Sequence, residues 1–205
     1  AGYMLAAMVA IGSGLADTST SSMILTAVVF HLLILVLFKL GAFLVLSMLE
    51  SDGGGHRIED LHGLVRREPT IGVAMFVFML SLAGVPPLSG FLSKLLMING
   101  IVSVSAGTGA ATSTTVADWA GGVDPLFWLA VAIVLNSALS LFYYLRIGLV
   151  MFFESPETES GLRKAPNLRL AIFGCALLTL LFGVGPMSEW LLDMVTSAVD
   201  SMMGL

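Results

Sequence analysis

The chain has 205 residues, of which 57% are hydrophobic and only 11% are charged, whereas an ordinary soluble domain has about 25% charged residues. The mean hydropathy of +0.98 excludes a soluble globular enzyme and a disordered segment, and it indicates an all-α integral membrane protein. The net charge of −5 excludes a basic surface for nucleic acid, so we expect the lipid bilayer, and no nucleic acid, as a partner.

Five apolar segments follow one another along the chain, and a membrane-spanning helix needs about 20 such residues. They are residues 1–13, 23–49, 71–102, 126–153 and 168–184. The first is too short to span, because a dozen residues reach about 18 Å against a hydrocarbon core of about 30 Å. We therefore predict a bundle of about five transmembrane helices, the first of them partial, and we expect the chain to be the carboxyl-terminal part of a longer protein.

The end of the chain has an amphipathic pattern. Apolar side chains fall near one face of a short helix over residues 189–203, and they are Leu191, Met194, Val195, Ala198 and Met202. This pattern favours a helix that lies in the membrane interface. We therefore divide the chain into a transmembrane helix bundle over residues 1–186 and an interfacial amphipathic tail over residues 187–205.

The basic residues of the loops are unevenly distributed. Loop 50–70 contains Arg57, Arg66 and Arg67, and loop 154–167 contains Arg163 and Lys164. Loops 14–22 and 103–125 and the tail contain no lysine or arginine. The positive-inside rule then places the two basic loops in the cytoplasm of a prokaryotic cell, and it places the other two loops and the carboxyl terminus outside.

Segment 23–49 contains two ionisable side chains, His31 and Lys39. A lysine near the middle of a span costs about 2.5–3.5 kcal/mol on insertion scales, so it normally has a function or a partner. The two residues are about 12 Å apart along a helix, so a proton that moves between them needs water or another polar group. Alternatively, Lys39 pairs with an acidic residue to hold helices together, and His31 forms a hydrogen bond between helices.

Segment 71–102 contains a helix break. Gly84, Pro86, Pro87 and Gly90 interrupt it, since proline removes a backbone donor and clashes with the preceding turn. Free carbonyl groups at this depth are tolerated only inside protein or beside a water-filled cavity. Lys94 follows the break, as is typical of the broken helices of transporters. The alternative is a packing kink, with the ammonium group of Lys94 extending toward the membrane surface.

Segment 126–153 contains a polar stripe. Asn136, Ser140 and either Tyr143 or Tyr144 recur at helical spacing. This stripe holds water against the broken helix, or it mediates packing between helices.

The redox chemistry available to this chain is limited. It has one cysteine, Cys175, and three scattered histidines, His31, His56 and His62. No CxxC pattern exists for an iron–sulfur cluster, and the histidine spacing does not favour a metal site. We expect no cofactor and no metal ion on this chain.

Five motifs together resemble one family. They are FKLGAF at 38–43, IEDLHGL at 58–64, LSLAGVPP at 80–87, GFLSK at 90–94 and NSALSLFYYLR at 136–146. In this order and spacing, they resemble the antiporter-like membrane subunits of respiratory complex I, specifically the N-type subunit of NADH:quinone oxidoreductase. The resemblance covers essentially the whole chain.

The resemblance implies a larger antiporter-like fold of inverted repeats, in which segment 71–102 is the broken helix of the second repeat. It also implies that Lys94 is the lysine that ends the proton relay toward the outer side. Lys39 stands where N-type subunits commonly have an amide or a small polar residue. We predict Lys94, Lys39 and His31 as relay residues. The predicted supporting polar path consists of Ser93, Ser81, Asn136, Ser140 and Tyr144.

The leading hypothesis is a proton-translocating subunit of a redox-driven quinone oxidoreductase that uses NADH or another donor. The resemblance places flavin, iron–sulfur clusters and quinone in partner subunits, and it implies other membrane subunits of a complex I-like assembly as partners. One alternative is a subunit of a multisubunit sodium/proton antiporter. The other is a structural membrane scaffold, which would need Lys39 and Lys94 to form buried ion pairs.

Overall fold

A computed structural model describes residues 2–54, 57–107, 125–155, 165–183 and 185–205, and these residues are predominantly helical. A 3₁₀ turn at Ile58–Leu61 precedes the short helix α3. In chain order the helices are α1 (Gly2–Gly12), α2 (Thr18–Glu50), α3 (Leu64–Arg67), α4 (Pro69–Ala83), α5 (Ser89–Gly107), α6 (Pro125–Phe153), α7 (Pro166–Leu181) and α8 (Pro186–Met203). The predicted all-α fold is confirmed.

Three of these helices, α2, α5 and α6, are long and apolar enough to cross a membrane. Helices α7 and α8 form a fourth span if the pair, which is bent by 85°, counts as one. The predicted segments 23–49 and 126–153 are long continuous helices, and segment 71–102 is two helices, α4 and α5. Helix α7 has 16 residues, or about 24 Å, so it does not cross the hydrocarbon core by itself.

Helix α2 begins at Thr18, five residues before the predicted segment, because Asp17 caps it. The Asp17 carboxylate accepts a hydrogen bond from the backbone N–H of Thr20 at 2.9 Å and another from the Ser19 hydroxyl at 2.9 Å. An N-cap of this kind satisfies one of the free donors of the first turn. Hydrogen bonds from Thr20 and Ser19 lower the pKa of this exposed carboxyl.

Helix α2 is the centre of the bundle, since it packs against α1, α4, α5, α7 and α8. Two hydrophobic clusters meet along it. One contains Val28 together with buried residues of α1, α5 and α6. The other begins at Phe30 and contains buried residues of α4, α7 and α8. A glycine permits the close approach of α4, because a Cβ atom at Gly41 would overlap the ring of Phe78.

Two polar contacts define the ends of the bundle. The guanidinium of Arg169 donates to both carboxylate oxygens of Glu68, at 2.8 and 3.0 Å, so the beginnings of α4 and α7 lie at the same end. At another point, the hydroxyl of Ser22 donates to the carboxylate of Asp200, so the beginning of α2 lies beside the end of α8. The helices that follow the two basic loops therefore begin at the same end of the bundle, as the alternating topology predicts.

Helix α8 packs on the bundle through one face. Leu191, Val195 and Val199 are buried, whereas Met194 is 48% exposed and Met202 is 83% exposed. The four-residue spacing of the buried positions follows the helical repeat, and it leaves a second apolar face outward. The interfacial placement of this tail stays a prediction. His56, Arg163, Lys164 and most of loop 103–125 lie outside the described residues.

Candidate functional site at the helix break

The break between α4 and α5 spans residues 84–88. Gly84 ends α4 with a φ of +82°, and its N–H donates to the carbonyl oxygens of Leu80 and Ser81 at 3.0 and 3.1 Å. A glycine adopts this left-handed conformation without the steric cost of a Cβ atom. Pro86 and Pro87 follow, so the chain cannot continue the helix. The carbonyl groups of Leu82 and Ala83, the last two residues of α4, therefore have no partner within a helix.

Lys94 supplies that partner. It is 6% exposed, and its Nζ donates to the carbonyl oxygens of Leu82 at 3.1 Å and Ala83 at 2.9 Å. A third bond joins Nζ to the hydroxyl oxygen of Ser137 on α6 at 3.0 Å. An ammonium group has three donors, and all three are used here. The carboxyl end of α4 also has the sign of dipole that favours a cation.

An aromatic ring from the first helix lies close to the same ammonium. The Nζ of Lys94 is 5.3 Å from the centroid of the Tyr3 ring, a distance at which a cation and a ring attract each other. The hydroxyl of Tyr3 in turn accepts a hydrogen bond from the Asn136 amide at 3.0 Å. The side chains around Lys94 therefore come from α1, α5 and α6.

His31 lies beside the residue that precedes Lys94. Its Nδ1 is 2.8 Å from the hydroxyl oxygen of Ser93, which also donates to the carbonyl oxygen of Gly90 at 3.1 Å. Both side chains are buried, at 3% and 0% exposure. Which of the two atoms donates in the bond between Nδ1 and the Ser93 hydroxyl depends on the tautomer of the imidazole. Two further buried hydroxyls near the break, Ser81 and Ser89, have no hydrogen-bond partner.

A cavity of about 550 Å³ adjoins this cluster between α5 and α6. Lys94, Ser137, Gly84 and Pro86 line part of it, and the rest of the lining is apolar. Lys94 is therefore buried between the end of α4 and a space that could hold several water molecules, since one water occupies about 30 Å³.

Lys39 lies elsewhere. It is exposed on the surface of α2, and it has no hydrogen bond or ion pair with any described residue. It lines a second cavity of about 340 Å³, together with Tyr144 of α6 and Arg57. The structure thus brings Lys94, His31 and Ser93 together and places Lys39 and Tyr144 at a different surface.

The polar stripe of α6 does not form one continuous path. Asn136 contacts Tyr3, and the Ser140 hydroxyl donates to the Ser137 carbonyl of its own helix at 2.8 Å. Ser137 is the residue of α6 that contacts Lys94, whereas the helical spacing had placed its neighbour Asn136 in the predicted polar stripe. Tyr3 was not predicted as a neighbour of Lys94, because the segment that contains it is too short to span the membrane. The signal in the sequence was a single tyrosine in an otherwise apolar segment.

Comparisons with known proteins identify the family of this chain. A model of the NADH:quinone oxidoreductase/Mrp antiporter transmembrane family matches residues 1–117, which is more than half of the chain. The chain belongs to this family.

Similar members of the NADH:quinone oxidoreductase/Mrp antiporter family include NADH-quinone oxidoreductase subunit N of Chloroflexus aggregans. It is 37% identical over 161 residues, which are 78% of this chain and 29% of that protein. Subunit N of Cupriavidus taiwanensis is 32% identical over 194 residues, which are 93% of this chain and 33% of that protein. The resemblance to N-type subunits is therefore confirmed, and the chain spans about a third of the length of these relatives.

Two solved structures share the family fold. The Mrp complex from Dietzia sp. DQ12-45-1b contains a chain with a TM-score of 0.66 at 24% identity, covering 87% of this chain and 38% of that one. Respiratory complex I from Thermus thermophilus with bound Aureothin contains a chain with a TM-score of 0.58 at 26% identity, covering 93% and 43%. The antiporter-like fold is thereby confirmed, and this is an integral membrane protein.

Proposed function

We propose that this chain is part of a proton-translocating membrane subunit of a NADH:quinone oxidoreductase, and that Lys94 binds and releases the translocated proton. The names of the relatives support the type of complex. In this proposal the partners are other membrane subunits and the subunits that hold flavin, iron–sulfur clusters and quinone. This chain contributes proton transfer, and electrons move elsewhere.

The observation that supports the role of Lys94 most strongly is the kind of partner it has. Its ammonium contacts two carbonyl oxygens, one hydroxyl oxygen and an aromatic ring, and no carboxylate of the residues that the structure describes. The ion pair among the described residues joins Arg169 to Glu68, far along the sequence from Lys94. Loss of the proton therefore leaves no unpaired buried carboxylate, whereas a structural ion pair would resist proton exchange. This favours a relay over a structural scaffold.

The neighbours of Lys94 define the proposed path. His31 offers an imidazole, which exchanges protons near neutral pH, and the Ser93 hydroxyl, as both donor and acceptor, extends the hydrogen-bonded path from it. The cavity between α5 and α6 is lined by Lys94 but not by His31 or Ser93, and it offers room for water. Ser81 adds a buried hydroxyl near the break. Lys39 has no polar contact toward this group, so its place in the relay stays a prediction.

The proposed orientation follows from loop charge. Loops 50–70 and 154–167 contain the basic residues, so we place their common end of the bundle in the cytoplasm of a prokaryotic cell. Protons then leave Lys94 through the cavity toward the outside.

The antiporter alternative has weaker support. The likeness to the Mrp complex, at 24% identity, concerns the fold alone. The two functions differ in their driving force, so proton uptake driven by electron transfer distinguishes the oxidoreductase from a sodium/proton exchanger.

The test is replacement of Lys94 in the complete assembly. We expect Lys94→Met to assemble normally and to lose most proton translocation, because the exchangeable group is gone. Lys94→Arg should also fail, because a guanidinium does not release its proton. The measurement is redox-driven proton uptake by vesicles, normalised to assembled complex.

Arg66→Gln is the matched control for the Lys94 variants, since Arg66 is an exposed loop cation. Wild-type translocation by Lys94→Met would overturn the relay. Equal losses in Lys94→Met and Arg66→Gln would assign the effect to net charge.

A further inference from the structure

The second cavity, which contains Lys39, is a groove between α2, α4 and α6. Its volume is about 340 Å³, within the size range of small-molecule sites. Its walls are apolar side chains of all three helices, among them Ala42, Leu46 and Met79. Its polar lining consists of two cations, Lys39 and Arg57, and the phenol of Tyr144, with no Asp or Glu among the described lining residues.

The cations of this groove lie at one end of the bundle. Helix α2 has 33 residues, or about 50 Å, so each end of a centred helix extends about 10 Å beyond a core of about 30 Å. Lys39 precedes the end of α2 at Glu50 by eleven residues, or about 16 Å. Its Cα atom is therefore about 6 Å inside the hydrocarbon boundary, and its side chain can extend to that boundary. Arg57 lies just beyond α2, on the loop at the same end.

The surface around the groove is suited to lipid. The face of α2 that contains Lys39 also exposes Val36, Leu40 and Phe43, at 55%, 48% and 65% exposure. Two cations near the hydrocarbon boundary stand beside a continuous apolar surface, and no carboxylate is among the described residues that line the groove. This arrangement matches an amphiphile with a negative headgroup and apolar chains. Basic pockets between transmembrane helices near a membrane surface bind such headgroups in general.

We propose that this groove binds an anionic phospholipid of the leaflet that faces loop 50–70. The headgroup phosphate contacts Lys39 and Arg57, the Tyr144 hydroxyl donates a third hydrogen bond, and one acyl chain lies along Ala42, Leu46 and Met79. Arg57 suits a phosphate because its planar guanidinium offers paired donors. Lys39 then has a lipid partner, separate from the proton relay.

The test measures lipid selectivity in the complete membrane assembly. Wild type, the double variant Lys39→Gln/Arg57→Gln and the control Arg66→Gln are each placed in vesicles of phosphatidylcholine, with or without phosphatidylglycerol. Spin-labelled lipids of each class report the relative affinity for the protein surface. We expect wild type and Arg66→Gln to prefer phosphatidylglycerol, and we expect this preference to fall by roughly fivefold for each groove cation removed. Mass spectrometry of the purified assembly should show fewer retained anionic lipids in the double variant.

Two outcomes would overturn the proposal. An unchanged preference in the double variant would mean that the groove is occupied otherwise, for example by an acidic segment of polypeptide. An equal loss in Arg66→Gln would mean that general surface charge, and not the groove, selects the lipid. The readout is lipid binding alone, so failure of this proposal leaves the role of Lys94 to its own experiment.

Discussion

The two lysines within the predicted spans of this chain have opposite surroundings. Lys94 is buried, and three hydrogen bonds use its three donors. Lys39 is exposed and has no hydrogen bond to a described residue. Both stand in apolar helices, so local hydropathy alone does not distinguish them.

The difference comes from backbone continuity. Helix α2 is unbroken around Lys39, so every carbonyl group near that residue already accepts a bond from its own helix. Helix α4 ends at Ala83, and the last carbonyl groups of a helix lack intrahelical partners. A broken helix thus creates acceptors for a buried cation, whereas a continuous helix leaves a cation to find its partner outside.

Among variants that keep Lys94, the largest effect is expected from Gly84→Ala, which changes the break itself. A Cβ at Gly84 would lie 2.9 Å from the Nζ of Lys94, so the ammonium must move. The φ of +82° adds strain of about 1–3 kcal/mol for a residue with a side chain. We expect translocation to fall by roughly 100-fold, since misplacing a reacting group by about 1 Å can cost that much.

Gly53→Ala provides a matched control for Gly84→Ala. Gly53 has a φ of +89°, and a Cβ there would meet nothing within 4 Å. This variant has similar backbone strain without contact with Lys94. Proton uptake per assembled complex should therefore stay near wild type in Gly53→Ala. Equal losses in both variants would contradict a specific role of the break.

A smaller loss is expected from His31→Gln. Glutamine can still form a hydrogen bond with Ser93, but its amide does not exchange protons as an imidazole does. If His31 is a relay group, translocation should fall by roughly tenfold or more. If it only joins α2 to α5, His31→Gln should translocate like wild type while His31→Leu weakens assembly. The two variants are compared by proton uptake and by the yield of complex.

The architecture was largely predictable from the sequence. Apolar runs and the Gly-Val-Pro-Pro motif located the long helices and the break, because both depend on local composition. The start of α2 was less predictable, since the cap at Asp17 extends the helix through a serine- and threonine-rich stretch. Which residues of α8 pack on the bundle was not predicted, because an amphipathic pattern alone does not show which face meets the other helices.

The site was predictable in part. Lys94 and His31 stood out because ionisable groups are rare in spans. Their contacts with Tyr3 and Ser137 depend on how α1 and α6 approach the break, which no local spacing determines. The grouping of Lys39 with His31 rested on their shared helix. A rotation of about 80° over eight residues is enough to place them on different surfaces.

Two variants of Tyr3 distinguish the effect of its ring from the effect of its hydroxyl. Tyr3→Leu removes the ring beside Lys94, and a cation–ring attraction amounts to about 0.5–2 kcal/mol. We expect it to lower translocation by roughly two- to fivefold. Tyr3→Phe keeps the ring and removes only the bond from Asn136, so we expect it to remain near wild type. A larger loss in Tyr3→Phe than in Tyr3→Leu would show that the hydroxyl, and not the ring, acts on the site.

The smallest effect on translocation is expected from Lys39→Ala, and this variant examines the contrast between the two lysines directly. Lys39 is exposed and about 12 Å along the axis of α2 from His31. It has no hydrogen bond or ion pair with Lys94, His31 or Ser93, so no direct proton path joins it to that group. We therefore expect translocation per assembled complex to fall by at most about twofold, and Lys39→Arg to match wild type because the charge is kept. Proton uptake by vesicles is the measurement, with phosphatidylglycerol held constant so that a change in bound lipid does not add to the result. A loss as large as that of Lys94→Met would place Lys39 in the relay. A lysine on a continuous helix would then transfer protons without the free carbonyl groups that a break provides.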